Sequence, residues 1–519
     1  MAAPRPSAGL LAACGVAAGL VLLPLGVTVW NAANAGWSVA TALLWRPLTG
    51  FLLFNTLRLV ACAVITTGLI GTVMAWLVER TDLRGKRMWS ILAVVPLAIP
   101  PFITSFAWVS LSPRLETFWG ALLVVTVAYY PLVYLPVAAA LREMDPALEE
   151  TARSLGLGHA SLFLRIILPQ LRPALLGGVL LVALDVLVEF GAFALLRYRT
   201  FTTAIYGAYR AGFSGAEPAL LAMILLLLCI VCLAAEYYVR GRARYGRIAR
   251  GARRRAAQYC LAPWQWPVQA GFACWAALTI GVPLGMILYW LAQPGDVATA
   301  PVAATFGAVA SAAWASVYLG GAGAALTMAL ALPLGVLAAR YNGWVVTALE
   351  RAAYLAQSIP GIVIALALVS LTVHTLRPLY ESTPLLVAAY AVLFLPLALV
   401  SVRAALTQAQ PALEEAGRSL GLNRAAVLLR VSLPLAAPGL GAAAALVFIS
   451  VTTELTATLL LAPIGTQTLA TQIWADTSTL AFAAAAPYAA VMAVMSMAAS
   501  WLLAGRFGAA SVFTGARPV

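Results

Sequence analysis

PALEETARSLGLGHASLFLRIILPQLRP runs from Pro146 to Pro173, and PALEEAGRSLGLNRAAVLLRVSLPLAAP runs from Pro411 to Pro438. Aligned without a gap at an offset of 265 residues, they agree at 16 of 28 positions. Each is a charged island between long apolar segments. Outward from the islands, Pro131 matches Pro396 and Glu189 matches Glu454 at the same offset. Further upstream Arg80 matches Arg340 and Pro100 matches Pro360 at an offset of 260. The chain is therefore two related copies in tandem.

Composition gives the class of fold. Of 519 residues 63% are hydrophobic and only 10% charged, with a mean hydropathy of +0.94. A soluble protein carries about 25% charge, so a large soluble enzyme is excluded. The apolar residues fall in runs of about 20, the length of a bilayer-crossing helix. The pattern predicts an all-α polytopic membrane protein with about twelve spans. The first six are 9–30, 54–78, 89–111, 119–140, 173–196 and 217–238. The second six are 268–291, 314–338, 349–373, 384–405, 438–461 and 483–504. Residues 1–238 form the first half, 239–267 a basic linker and 268–519 the second half. An even number of spans per copy makes the halves parallel in orientation, not inverted.

The net charge of +14 is mostly a topology signal. With both termini in the cytoplasm, 25 of the 32 basic residues lie on that side, as the positive-inside rule requires. Nucleic acid is not needed to explain the charge. The densest basic run, Arg240 to Arg255, reads as a linker held near anionic headgroups of membrane lipid. The six cysteines lie in or beside apolar segments, and Cys229 and Cys232 read as helix packing, not as a metal or redox pair.

The islands place Glu149, Glu150, Arg153 and Gly156 in the same order as Glu414, Glu415, Arg418 and Gly421. Leu155, Leu162 and Ile166 fall on one side at helical spacing, as do Leu420, Val427 and Val431. The glycines favour a turn, and Pro169 and Pro434 end the island before the next span. Such a segment suits docking of a cytoplasmic protein. The blander alternative is an amphipathic loop on the membrane surface. The chain has no phosphate-binding P-loop, because its one lysine, Lys86, precedes Arg87 and the motif needs Gly-Lys-Ser/Thr. An ATP-driven mechanism thus requires a second protein.

Three carboxylates fall inside spans, where a charge costs about 2.5–3.5 kcal/mol. Asp185 and Glu189 are four apart and share a helix face. Glu454 is the counterpart of Glu189. They either line a substrate path, where oxygen ligands suit a hard cation such as Fe³⁺, or pair with buried groups such as Arg58 for packing.

The islands resemble the EAA loops of ABC importer permeases. Glu150-Thr151-Ala152 with Gly156, and Glu415-Ala416-Gly417 with Gly421, carry the resemblance, followed by Leu168-Pro169 and Leu433-Pro434. Thr151 and Gly417 depart from the family's alanines. Glu189 to Phe193, RYRTFTTAIY at Arg197–Tyr206 and ELTATLLLAPIGTQTLATQIW at Glu454–Trp474 resemble fused iron(III) permeases. The resemblance implies a non-enzymatic permease of the bacterial inner membrane that carries ferric iron. It implies two copies of an ABC ATPase docked on Glu149, Glu150, Ala152, Arg153, Gly156 and Pro169 and on Glu414, Glu415, Ala416, Arg418, Gly421 and Pro434. ATP and Mg would sit on that partner, with no cofactor on this chain. A periplasmic binding protein would face the outer loops at 197–216 and 462–482, where Tyr198, Tyr206 and Tyr209 offer either phenolic oxygens or ordinary interfacial rings. Thiamine, aminophosphonate or another small solute is the alternative cargo. A proton-driven secondary transporter using Asp185, Glu189 and Glu454 is the alternative class.

Overall fold

The proline-marked spans show how the chain folds locally. A computed structural model describes residues 6–212, 215–240, 258–293, 306–408 and 411–506. In the first half α1 is Ala8–Asn34, α2 is Pro47–Arg80, α3 is Lys86–Ala98, α4 is Pro101–Leu111, α5 is Phe118–Glu143, α6 is Pro146–Ser154, α7 is Leu168–Val188, α8 is Gly191–Leu195 and α9 is Ala216–Arg240. In the second half α10 is Gln265–Ala276, α11 is Phe306–Arg340, α12 is Trp344–Leu355, α13 is Gly361–Thr375, α14 is Thr383–Gln408, α15 is Pro411–Ser419, α16 is Leu433–Thr452, α17 is Thr456–Leu461 and α18 is Phe482–Arg506.

Among the described residues ten helices are long and apolar enough to cross a membrane, or eleven if one bent pair counts as a span. The difference from the expected twelve lies in the third span of each half. There α3 and α4 meet at 91°, and α12 is separated from α13 at Pro360. Proline forces its predecessor out of the helical region, and Ile99 (φ −103, ψ 113) and Ile359 (φ −98, ψ 114) are both extended. Hydropathy alone counts such a broken segment as one straight helix.

The chain divides into two compact units. One comprises residues 47–203 and 227–290, the other 1–46, 204–226 and 291–519. In the first unit α2, α5 and α7 pack against one another. Glycines permit this close approach: a methyl on Gly71 would lie 2.9 Å from Tyr134 N, and one on Gly178 2.8 Å from Val133 Cα. In a membrane, small residues at helix contacts give the close packing that drives association. Helix α10 joins this unit, with Trp275 edge-on to Tyr130 at 5.5 Å and Trp89 against Phe272 at 5.4 Å. In the second unit α11, α14 and α16 pack together, and α1 lies along α11, α12 and α13. Asn31 of α1 donates to Ser370 Oγ at 2.8 Å. The compact units therefore differ from the sequence halves, because each takes in the first span of the other half.

The basic run after Arg240 lies outside the described residues as far as residue 257. Beyond it the chain is fastened to the loop after α2. Tyr259 N donates to Arg80 O at 2.8 Å and Asp82 N to Tyr259 O at 3.1 Å. Asp82 accepts from Leu261 N at 2.8 Å and Gln265 Nε2 at 3.1 Å. The Leu261 hydrogen bond is the leading reason that this carboxyl lies below its ordinary pKa.

Candidate functional site: two island helices and three membrane carboxylates

Both islands begin with a nine-residue helix, α6 and α15. Proline at the first position of α6 is pre-set for helix, and Asp145 caps it by accepting from Ala147 N at 3.0 Å. Gly156 (φ +83) and Gly421 (φ +87) lie just past the ends in the left-handed conformation. The amide of Leu157 returns to Ala152 O, and that of Leu422 to Gly417 O, both at 3.1 Å. These are the helix-ending turns that glycine favours. A turn of π-helix, Phe163–Ile167 and Leu428–Ser432, leads into α7 and α16. The leucine-proline pairs, Leu168-Pro169 and Leu433-Pro434, do not end the islands as expected: the helix runs unbroken through them, from Phe163 to Val188 and from Ala425 to Thr452, and the π turn lies just ahead of each proline.

Of the expected docking residues Pro169 is half-buried and Pro434 exposed, and those on the island helices and their turns divide into two sets. Glu150, Arg153, Gly156, Glu415, Ala416, Arg418 and Gly421 are exposed. Ala152 is buried, as are Glu149 and Glu414. Each of these two glutamates meets an arginine that ends a long helix. Arg80 Nη2 lies 2.7 Å from Glu149 Oε1, with side chains 2% and 4% exposed. Arg340 Nη2 lies 2.6 Å from Glu414 Oε1, with side chains 20% and 8% exposed. The second pair is richer in hydrogen bonds. Arg340 Nε donates to Glu414 at 2.8 Å and Nη2 to Leu406 O at 2.9 Å. Ser432 Oγ donates to the same glutamate at 2.7 Å. The first pair is close, but its atoms are not aligned as a hydrogen bond with any described residue. Among the described residues the 2.7 Å ion contact is its one recorded link. Sequence reasoning did not join these residues. The available signal was that Arg80 and Arg340 match at the repeat offset and sit one residue from the end of an apolar run.

Arg153 has its guanidinium carbon 5.0 Å from the ring centre of Tyr259, the residue fastened beside Arg80. Trp76 packs on the same ring at 5.5 Å. Arg418, its counterpart, instead lies 3.5 Å from Glu414 Oε2.

The membrane carboxylates sit where the fifth span of each half breaks. Helix α7 stops at Val188, and Glu189 caps the short α8 by accepting from Ala192 N at 2.8 Å. Its second oxygen accepts from Tyr129 OH at 2.8 Å. Asp185 stands one turn earlier, and its backbone carbonyl receives the amide of Glu189 at 2.9 Å. In the second half α16 stops at Thr452, and Glu454 caps α17 by accepting from Ala457 N at 3.0 Å. Arg58 is not the partner of Glu189, since its guanidinium stacks 3.9 Å over Phe118. Among the expected outer-loop tyrosines, Tyr198 is buried with its hydroxyl on Asn55 O at 3.2 Å, and Tyr206 meets Trp474 edge-on at 6.3 Å. Among the described residues no three His, Cys, Asp or Glu side chains are grouped to hold a metal ion.

Two spans of sequence, residues 68–242 and 331–505, match the binding-protein-dependent transport system inner membrane component. The chain belongs to this family. Each match contains one island with its buried arginine–glutamate pair and its broken fifth span. The Fe(3+)-transport system permease protein FbpB 2 of Haemophilus influenzae is 38% identical over 475 residues, covering 91% of this chain and 93% of that protein. The sulfate transport system permease protein CysT of Escherichia coli is 30% identical over 189 residues, 33% of this chain and 68% of CysT. A probable molybdenum ABC transporter permease of Haloferax volcanii is 28% identical over 220 residues, 39% of this chain and 80% of the relative. The family member described here is an inner-membrane permease and not an enzyme, and it relies on separate ATPase and substrate-binding subunits.

Proposed function

We propose that this permease imports ferric iron delivered by a periplasmic binding protein. Its two coupling helices would each dock one copy of a cytoplasmic ABC ATPase. The observation that carries the reading is the full-length likeness to an iron(III) permease, since the sulfate and molybdenum relatives align with less than half of the chain. The chemistry agrees. Asp185, Glu189 and Glu454 place carboxylate oxygens at broken spans, and such ligands suit a hard cation better than an oxyanion. We assign these three to the substrate path and Glu150, Arg153, Glu415 and Arg418, the exposed charges of α6 and α15, to ATPase docking. No cofactor is assigned to this chain, and ATP and Mg belong to the partner. The arginine distribution supports cytoplasmic termini and contact of the linker with anionic lipid.

ATP binding would close the two ATPase subunits, and the coupling helices would carry that motion to the spans. In this arrangement the chain's own residues do no covalent chemistry. They hold, release and enclose the ion. Proteoliposomes containing the permease, its ATPase and an iron-loaded binding protein test the reading. ATP-dependent accumulation of radiolabelled iron is the expected result. Accumulation of sulfate or molybdate in place of iron would overturn the substrate assignment. Replacing Glu150 and Glu415 with alanine is expected to weaken ATPase binding about tenfold, or 1.4 kcal/mol.

A further inference from the structure

The inner faces of the coupling helices carry a feature that docking does not use. Helix α6 is joined to its neighbours by two bends. Met144 (ψ 135) and Asp145 (φ −74, ψ 117) are extended before it, and Gly156 is left-handed after it. It packs onto the segment that follows it in sequence, Phe163–Ile167, and α15 likewise packs onto Leu428–Ser432. Phe163–Ile167 is also the start of the span that continues to Val188, so each island helix already rests on its own onward span. The tie of α6 to a second membrane helix, α2, is the buried charge pair. Arg80 is the last residue of the 34-residue α2, and Arg340 the last of the 35-residue α11. Each helix is about 50 Å long at 1.5 Å per residue, more than the thickness of a bilayer.

Apolar side chains would stabilise such contacts as well as a buried ion pair does, or better. A charge pair adds a fixed partner, because either ion alone is strongly disfavoured in the interior. That the same pairing recurs in both halves, between the same two elements, argues that the tie itself is used. We propose that Arg80 and Arg340 are positioning residues of the transport cycle. Through Glu149 and Glu414 they fasten each coupling helix to the cytoplasmic end of a full-length span, so that displacement by the ATPase moves α2 and α11 and is not lost in the bends. Glu149 and Glu414 then belong to the permease interior and not to the ATPase interface. This inference rests on the coupling-helix reading given above.

The test uses the complete complex, reconstituted with its ATPase and iron-loaded binding protein. Two apolar double variants, Arg80→Met with Glu149→Met and Arg340→Met with Glu414→Met, remove both charges and leave neither ion stranded. Expected is normal co-purification with the ATPase, continued ATP hydrolysis and a fall of about tenfold in iron imported per ATP, a coupling loss of the usual size. The reversed pair, Arg80→Glu with Glu149→Arg, is expected to recover part of that ratio, which a merely space-filling role would not predict. If a double variant fails to fold, Glu149→Gln and Glu414→Gln carry the same readout. Import per ATP within twofold of the parent protein would overturn the proposal. So would loss of ATPase binding in the double variants, because the glutamates would then be docking groups. Failure of the underlying reading looks different: ATPase binding would survive replacement of the exposed Glu150 and Glu415.

Discussion

The two halves keep the same charges in the same places and support them differently. At the cytoplasmic end the second half is better satisfied. Glu414 has a hydrogen bond from Arg340 Nε at 2.8 Å, Arg340 Nη2 at 2.6 Å, the Ser432 hydroxyl at 2.7 Å and Arg418 at 3.5 Å. The first half sets the buried Ile167 where Ser432 stands, and Glu149 is held by Arg80 without an aligned hydrogen bond. At the broken fifth span the neighbours differ again. Glu189 has both the cap to Ala192 and the Tyr129 hydroxyl, whereas Phe394 and Ser450 stand at the positions that align with Tyr129 and Asp185. Duplication fixed where a carboxylate must be. Each copy then found its own neighbours for it.

The largest break in this comparison should come from stranding one buried ion. Arg80→Met leaves Glu149 buried without its ion partner and should cost about 3–5 kcal/mol. Arg340→Met should cost less, because Ser432 and Arg418 still face Glu414. Thermal unfolding of the purified variants in one detergent checks the order. Equal losses would show that the hydrogen bonds around Glu414 contribute nothing. A smaller effect is expected at the membrane break. Glu189→Ala removes a helix cap and orphans a tyrosine hydroxyl, about 2 kcal/mol together. Glu454→Ala removes at least the bond from Ala457 N, which alone is worth about 1 kcal/mol. The same melting series tests both, and a loss well below about 1 kcal/mol in either variant would contradict its hydrogen bond to the helix start.

Much of this architecture was legible in the sequence. Apolar run length predicted the helices, and the repeat offset predicted the symmetry between Glu189 and Glu454. The islands announced themselves by polarity and by glycines that prove to be left-handed. Breaks were harder to see. Pro100 and Pro360 were recognised as a repeat match, but a proline in an apolar run can kink a span or end one. Only the extended residues before them show that these helices end. Hydropathy also cannot distinguish a carboxylate that lines a path from one that caps a helix, because both sit in the same apolar run. The tie of Arg80 to Glu149 joins residues 69 positions apart, and no local pattern reports which face of an amphipathic island turns inward. Exchange of the first spans between the compact units is equally invisible, since it depends on which apolar surface each helix finds.

The smallest effect is expected where the halves have not diverged, and it calibrates the others. Gly156 and Gly421 have nearly the same φ, +83 and +87, and a methyl group on either would meet nothing within 4 Å. Alanine at these positions loses no packing and creates no clash. Its cost is the backbone strain of a left-handed L-residue, about 1 kcal/mol. Gly156→Ala and Gly421→Ala should therefore lower stability equally. If the first variant melts well below the second, the environment of α6 is more constrained than its exposed turn implies. The contrast between the two ion pairs would then have to be read as a difference between whole coupling helices, not between their buried partners.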